Sequence, residues 1–261
     1  MKTATRLITL TVLLSGSFFG SFALACSTDA WTTAAGGAIA GDPVVEGIAR
    51  VSGTCGLKIP TDGGHVADNS PADETVFIGR FYFYPKGIAA GTNTIFAALS
   101  DEGNSDSDVF RIDYDGTNII LDATAATGGG STSVAADTTH WNLIEFSWTS
   151  GGQGSLWVNA DALTEGASST FASGTGSIDR VEMGGAEGAL FDDYESHRSL
   201  AVGSLLIGDS NGNGSINVFD LISIQNDILG NSLANGQPDC NLNGSVNVFD
   251  LICTQNIILG N

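Results

Sequence analysis

Basic side chains are scarce in this chain. Nine Lys and Arg stand against 29 Asp and Glu, for a formal net charge of −20. A surface of that sign repels phosphate backbones and anionic headgroups, which argues against nucleic acid and acidic lipid as partners. Long apolar runs are missing beyond Phe22, where no stretch approaches the ~18 residues that a membrane-spanning helix requires. Histidine is limited to His65, His140 and His197, too scattered to suggest a metal triad or a base beside a nucleophile. No Gly-x-Ser-x-Gly elbow and no phosphate-cradling glycine loop is present. Between residues 27 and 205 no segment sustains a helical period.

That stretch has short apolar or alternating runs instead, separated by Gly, Asn, Asp and Ser. They are Thr75–Tyr84, Thr94–Leu99, Val109–Tyr114, Asn118–Ala123, Trp141–Trp148, Ser155–Val158, Asp179–Met183 and Leu190–Tyr194. Runs of this length and spacing predict a mainly β fold, a sandwich of two sheets. Ile144, Phe146 and Trp148 alternate onto one face and are expected in its core. Trp157 is out of phase with Leu156 and Val158, so it is expected to face outward. With Trp31 it is a candidate platform for a sugar ring.

The end of the chain has a different grammar. Asp209, Asn211, Asn213, Ser215, Asn217 and Asp220 occupy loop positions 1, 3, 5, 7, 9 and 12. Thirty residues later Asp239, Asn241, Asn243, Ser245, Asn247 and Asp250 repeat them. Glycine holds position 6 in both copies (Gly214, Gly244). This is the spacing of an EF-hand-type calcium loop. Ca²⁺ takes six to eight oxygens at roughly 2.3–2.6 Å; side chains supply most of them and position 7 a backbone carbonyl. Two calcium ions are expected, and Ile216 and Val246 can pair as a short β-bridge between the loops. A helix is predicted after each loop, Leu221–Leu229 and Leu251–Leu259, and none before it.

Two such loop-plus-helix units resemble type I dockerin domains over residues 207–261. The resemblance implies docking onto a cohesin-like partner. Loop positions 10 and 11 carry much of that recognition in dockerins; here they are Val218, Phe219, Val248 and Phe249. The alternative for both phenylalanines is a place in the core between the helices. Folding of this tail is expected to need calcium, so that a chelator unfolds 207–261 and leaves the sandwich intact.

The order of the β runs resembles the concanavalin A-like, laminin G-like jelly roll over about residues 50–205. Arg80-Phe-Tyr-Phe-Tyr-Pro85 looks like its early buried strand, Trp141–Trp148 with Leu156–Asn159 like its central hairpin, and Ala189–Arg198 like its closing strand. That fold hosts lectins, adhesion modules and glycosidases alike. Laminarinase-type members carry Glu-x-Asp-x-x-Glu on one strand. The nearest stretch is Ser177-Ile178-Asp179-Arg180-Val181-Glu182, with Ser177 where the nucleophile belongs, so no catalytic residue is assigned. Asp101, Glu102, Asp106 and Asp108 crowd one acidic loop.

Residues 1–25 have the form of a signal peptide: Lys2 and Arg6, an apolar run, and Ala23-Leu-Ala25 as the cleavage site. Ordinary secretion is expected; the rival is a lipid anchor on Cys26. Four cysteines in an exported chain predict two disulfides, Cys26–Cys55 and Cys240–Cys253. Ser210 and Ser223 stand in the first repeat where the second has Cys240 and Cys253. The chain divides into a signal peptide (1–25), a β-sandwich (26–205) and a calcium-binding tail (206–261). The expected function is non-catalytic recognition of a polysaccharide or cell-surface glycan, with assembly through the tail. The alternatives are a polysaccharide-degrading hydrolase and a structural extracellular protein.

Overall fold

The computed structural model describes residues 26–85, 87–100 and 107–261. The expected leader lies outside them, as do Asp101, Glu102 and Asp106. In chain order the strands begin with β1 (Thr33–Ala35), β2 (Ile39–Gly41), β3 (Gly56–Lys58), β4 (His65–Asp68), β5 (Val76–Tyr84), β6 (Asn93–Ser100), β7 (Ser107–Tyr114) and β8 (Asn118–Asp122). They continue with β9 (Thr127–Gly129), β10 (Ser131–Ala135), β11 (Asn142–Thr149), β12 (Gln153–Val158), β13 (Ser169–Thr175), β14 (Arg180–Gly184) and β15 (Leu190–His197). Two helices follow, α1 (Val218–Ile228) and α2 (Val248–Leu259).

The strands form two antiparallel sheets. One runs β1-β4-β14-β6-β7-β8-β10, the other β2-β3-β15-β5-β11-β12-β13-β9. Their facing sides close over an aromatic core in which Phe81 stacks on Phe96 at 5.7 Å and Phe110 meets Phe146 edge-on at 5.3 Å. Ile144, Phe146 and Trp148 are all fully buried there. The driving force is the removal of these large side chains from water, about 1.5–3 kcal/mol each. The disulfides join Cys26 to Cys55 and Cys240 to Cys253.

The eight-stranded sheet is buried on its outer side as well. Tyr82, Tyr84, Trp141 and Leu143 form a second apolar cluster with Val51, joined by Leu205 and by Leu242 of the second loop. Arg80 and Glu145 stand opposite each other on β5 and β11 beneath the segment leading to the tail. The Glu145 carboxylate accepts from the Val202 and Gly203 amides at 2.7 and 2.8 Å, while Arg80 donates to the Gly203 carbonyl at 2.9 Å. Arg80 also pairs with Asp193 and Glu195. Charges at this depth persist only when compensated, Arg80 by two carboxylates and Glu145 by two backbone amides.

The tail therefore does not hang free of the sandwich. The Trp141 amide donates to the Leu242 carbonyl at 2.8 Å, and the Tyr84 hydroxyl to the Asn243 carbonyl at 2.9 Å. The Gly53 amide donates to the Gly236 carbonyl at 3.0 Å. Arg50, in the loop before β3, forms an ion pair with Asp227 of α1, both side chains being buried. The second loop is part of the sandwich's outer-face cluster, through Leu242.

Candidate functional site

The two loops are close copies in geometry. In the first, Asp209 accepts from the Asn213 and Gly214 amides at 3.0 and 2.7 Å, and Asp220 from the Asn211 and Asn217 amides at 3.1 and 2.8 Å. In the second, Asp239 accepts from Asn243 and Gly244 at 3.0 and 2.7 Å, and Asp250 from Asn241 and Asn247 at 3.2 and 2.8 Å. Asn211 and Asn241 each turn their side-chain oxygens to the amide at position 5, and Asn213 and Asn243 theirs to Ser215 and Ser245. Positions 9 and 12 do double duty: Asn217 and Asn247 cap their helices, with Asp220 and Asp250 completing the capping boxes. Such a box satisfies two amides that a helix start leaves without partners. Gly214 and Gly244 sit at φ 80° and 83°, a left-handed turn that glycine adopts without a Cβ penalty.

Each loop buries two carboxylates. Asp209, Asp220, Asp239 and Asp250 are all buried, and among the described residues no Arg, Lys or His pairs with any of them. Burial pushes the Asp239 carboxyl up to about 7, and the neighbouring charge of Asp250 adds to the rise. Buried like charges without a counter-ion are costly, and a cation between them would remove the cost. The oxygen-only set of Asp, Asn and backbone carbonyl suits a hard ion such as Ca²⁺. Among the described residues no three His, Cys, Asp or Glu side chains gather as a metal-holding group. Ion binding here would therefore draw on Asn and backbone oxygens beside two carboxylates per loop.

The loops are not joined by a bridge between Ile216 and Val246; the isolated bridge among the described residues is Glu74–Ile178. The first loop is tied instead to the segment ahead of the second, by Gly236 to Ser210 at 2.9 Å and Gln237 to Asp209 at 2.8 Å.

Beyond the loops, α1 and α2 turn matching apolar side chains outward. Val218 and Val248 are 57% and 55% exposed, Phe219 and Phe249 65% and 64%, Ile222 and Ile252 49% and 48%. The core alternative for the two phenylalanines is thereby ruled out. Leu229 and Leu259 continue the pattern at the helix ends.

Of the two candidate platforms, Trp157 is half-buried and its indole N–H donates to the Glu165 carbonyl at 3.2 Å. Trp31, also half-buried, lies against Tyr194 with ring centroids 5.1 Å apart, packed on the main core. The hydrolase-like stretch is held in structural contacts: Asp179 accepts from the Asp73 amide at 2.7 Å, and Glu182 pairs with Arg180 and His65. Asp108 pairs with Arg111.

A cleft of about 510 Å³ opens where sandwich and tail meet. Tyr82, Trp141 and Leu143 underlie it; Asp137, His140, Asn159, Asp161 and Glu165 line its sandwich side, and Asn241 and Leu242 its tail side. Sequence reasoning missed it, since its walls come from segments 100 residues apart. One signal was available: β5 is apolar or aromatic on both faces, which requires a cover on each.

No family model and no curated protein matches the chain. Among solved structures, HCR/D carrying a tryptophan-to-alanine substitution aligns at 11% identity with a TM-score of 0.42, over 57% of this chain and 40% of that one. The botulinum neurotoxin serotype G binding domain aligns at 12% identity and 0.40, over 63% and 44%. Trypanosoma rangeli sialidase in complex with a difluoro-KDN aligns at 15% and 0.39, over 55% and 25%. The chain thus spans less than half the length of each. Likeness at this level carries no argument about function, which rests on the site itself.

Proposed function

We propose that the protein is a secreted, calcium-binding, non-catalytic recognition protein. In this reading a jelly-roll sandwich (26–205) binds a polysaccharide or cell-surface glycan, and a dockerin-like tail (206–261) holds two calcium ions and docks onto a cohesin-like partner. The observation that carries it is the duplicated outward face of α1 and α2, where side chains 30 residues apart match in identity and exposure to within a few per cent. Core packing rarely leaves two phenylalanines two-thirds exposed at the starts of two helices; apolar surface of this kind marks an interaction site. Each face begins directly after a loop whose buried carboxylates call for a cation, so the ion's role is to fix the helix starts that present it. Two disulfides accord with an oxidising, extracellular setting.

The test is capture of the full chain on an immobilised type I cohesin, with calcium and with a chelator. Capture is expected only with calcium, and the double variant Phe219→Ser, Phe249→Ser is expected to lose it while keeping the calcium-induced rise in helical circular dichroism. Capture that survives the double substitution, or a tail that takes up no calcium, would refute the reading.

A further inference from the structure

We infer that the cleft between sandwich and tail is a binding site for the end of a neutral oligosaccharide, and that the second calcium loop forms one of its walls. The inference rests on the glycan-binding reading above and gives that reading a place and a control.

The volume, about 510 Å³, falls within the roughly 300–1,000 Å³ of small-molecule sites. The chemistry of the lining selects the ligand class. Asp137, Asp161 and Glu165 bring three carboxylates to the mouth, and the chain as a whole carries −20, so anionic ligands are repelled. Carboxylates and amides in such number suit a ligand rich in hydroxyl donors. Tyr82, Trp141 and Leu143 form a closed apolar floor beneath them, too buried to stack on a ring, so the ligand is held chiefly through the polar walls. Several of these polar groups are already fixed. Asp161 accepts from the Leu163 amide at 2.9 Å and from the Ser204 hydroxyl at 3.1 Å, and Asp137 is held by Thr139 and His140. A wall with its rotamers set in advance loses little freedom on binding.

The control follows from the tail side. Asn241 is position 3 of the second loop, and Leu242 is its neighbour. Leu242 stands in a left-handed backbone conformation at φ 58°, where the first loop has Gly212. It is held there by its carbonyl's bond from the Trp141 amide and by packing of its side chain on the outer-face cluster. An ion closing the loop fixes Asn241, and with it the position of Leu242 over Trp141. Without the ion, that wall is released.

The experiment is calorimetric titration of the full chain with neutral glucan, xylan, mannan and galactan oligosaccharides, in calcium and then in excess chelator. At least one oligosaccharide is expected to bind in calcium and to weaken tenfold or more in chelator. Ser204→Trp, a substitution at an exposed position that fills the cleft, is expected to abolish binding, and Glu165→Ala to weaken it tenfold. Binding that survives Ser204→Trp would overturn the cleft while leaving the glycan reading standing. Binding indifferent to chelator would overturn the control, and failure of every oligosaccharide would sink the ligand class and the glycan reading together.

Discussion

Removing the carboxylate of Asp227 should uncouple the two ends of this molecule. Its side chain and that of Arg50 are 6% and 1% exposed, and the pair joins the loop before β3 to α1. Asp227 also accepts from the Ala234 amide at 2.8 Å, and Arg50 donates to the Ala234 and Gly53 carbonyls. Asp227→Ala leaves a guanidinium buried without its counter-charge and one amide without an acceptor. Breaking a buried pair in this way costs about 3–5 kcal/mol. At roughly 2–4 °C per kcal/mol for a chain of this size, the melting temperature should fall by about 10 °C. Differential scanning calorimetry in calcium should show the tail's transition separating below that of the sandwich. Replacing both partners with apolar residues, Arg50→Met with Asp227→Leu, should recover most of the loss, because no charge is then stranded. A fall of under about 2 °C for Asp227→Ala, with one transition retained, would refute the clamp. A double variant as unstable as the single one would show that shape rather than charge holds the junction.

The loop glycines should respond unequally to the same substitution. A Cβ at Gly214 meets nothing within 4 Å, whereas at Gly244 it would lie 2.9 Å from the Tyr84 ring. Gly214→Ala should cost only the left-handed strain, about 1–2 kcal/mol, and Gly244→Ala about 1–3 kcal/mol more from the clash; equal losses in urea unfolding would contradict the docking of the second loop. Asp192 accepts from the Val51 and Ser52 amides at 2.6 and 2.8 Å, yet burial pushes its carboxyl up to about 7, with the charge of Asp193 adding to the rise. A raised carboxyl favours the fold while protonated. Its contribution is full below about pH 4 and is lost as the pH rises through about 7. Relative to Asp192→Asn, the wild type should therefore lose stability between about pH 4 and pH 8; a difference constant over that range in urea unfolding would exclude the shift.

The strands that show in the sequence are those built from large side chains. Thr75–Tyr84, Val109–Tyr114 and Trp141–Trp148 differ from β5, β7 and β11 by one or two residues at their ends. The strands β1, β2, β9, β10 and β13 are composed mostly of Ala, Gly, Ser and Thr. Such residues carry little apolar periodicity, and these strands form because neighbours present a ladder to complete. The repeated loop pattern shows in the sequence because its geometry is local, each carboxylate meeting amides three to nine positions away. The junction was not, because Arg50 meets Asp227, Tyr84 meets Asn243 and Trp141 meets Leu242 only after folding. What the sequence did hold was the departure of the second repeat from the first. Leu242 for Gly212 meets the outer-face cluster of the sandwich, while Cys240 and Cys253, for Ser210 and Ser223, staple the second unit to itself.

The two matching helix faces acquire a different meaning once the second loop is anchored. A free tail with a pseudo-two-fold surface could be gripped in either of two senses and its cargo would hardly move, since a slack tether absorbs the half-turn. Here Arg50–Asp227, Trp141–Leu242 and Tyr84–Asn243 leave no slack between tail and sandwich. For a partner that grips α1 and α2 interchangeably, reversing the grip swings the whole sandwich through half a revolution, like a crank on a fixed axle. The same pair of molecules would then present the sandwich in two opposed directions, which turns a local duplication of ten or so residues into a choice of architecture.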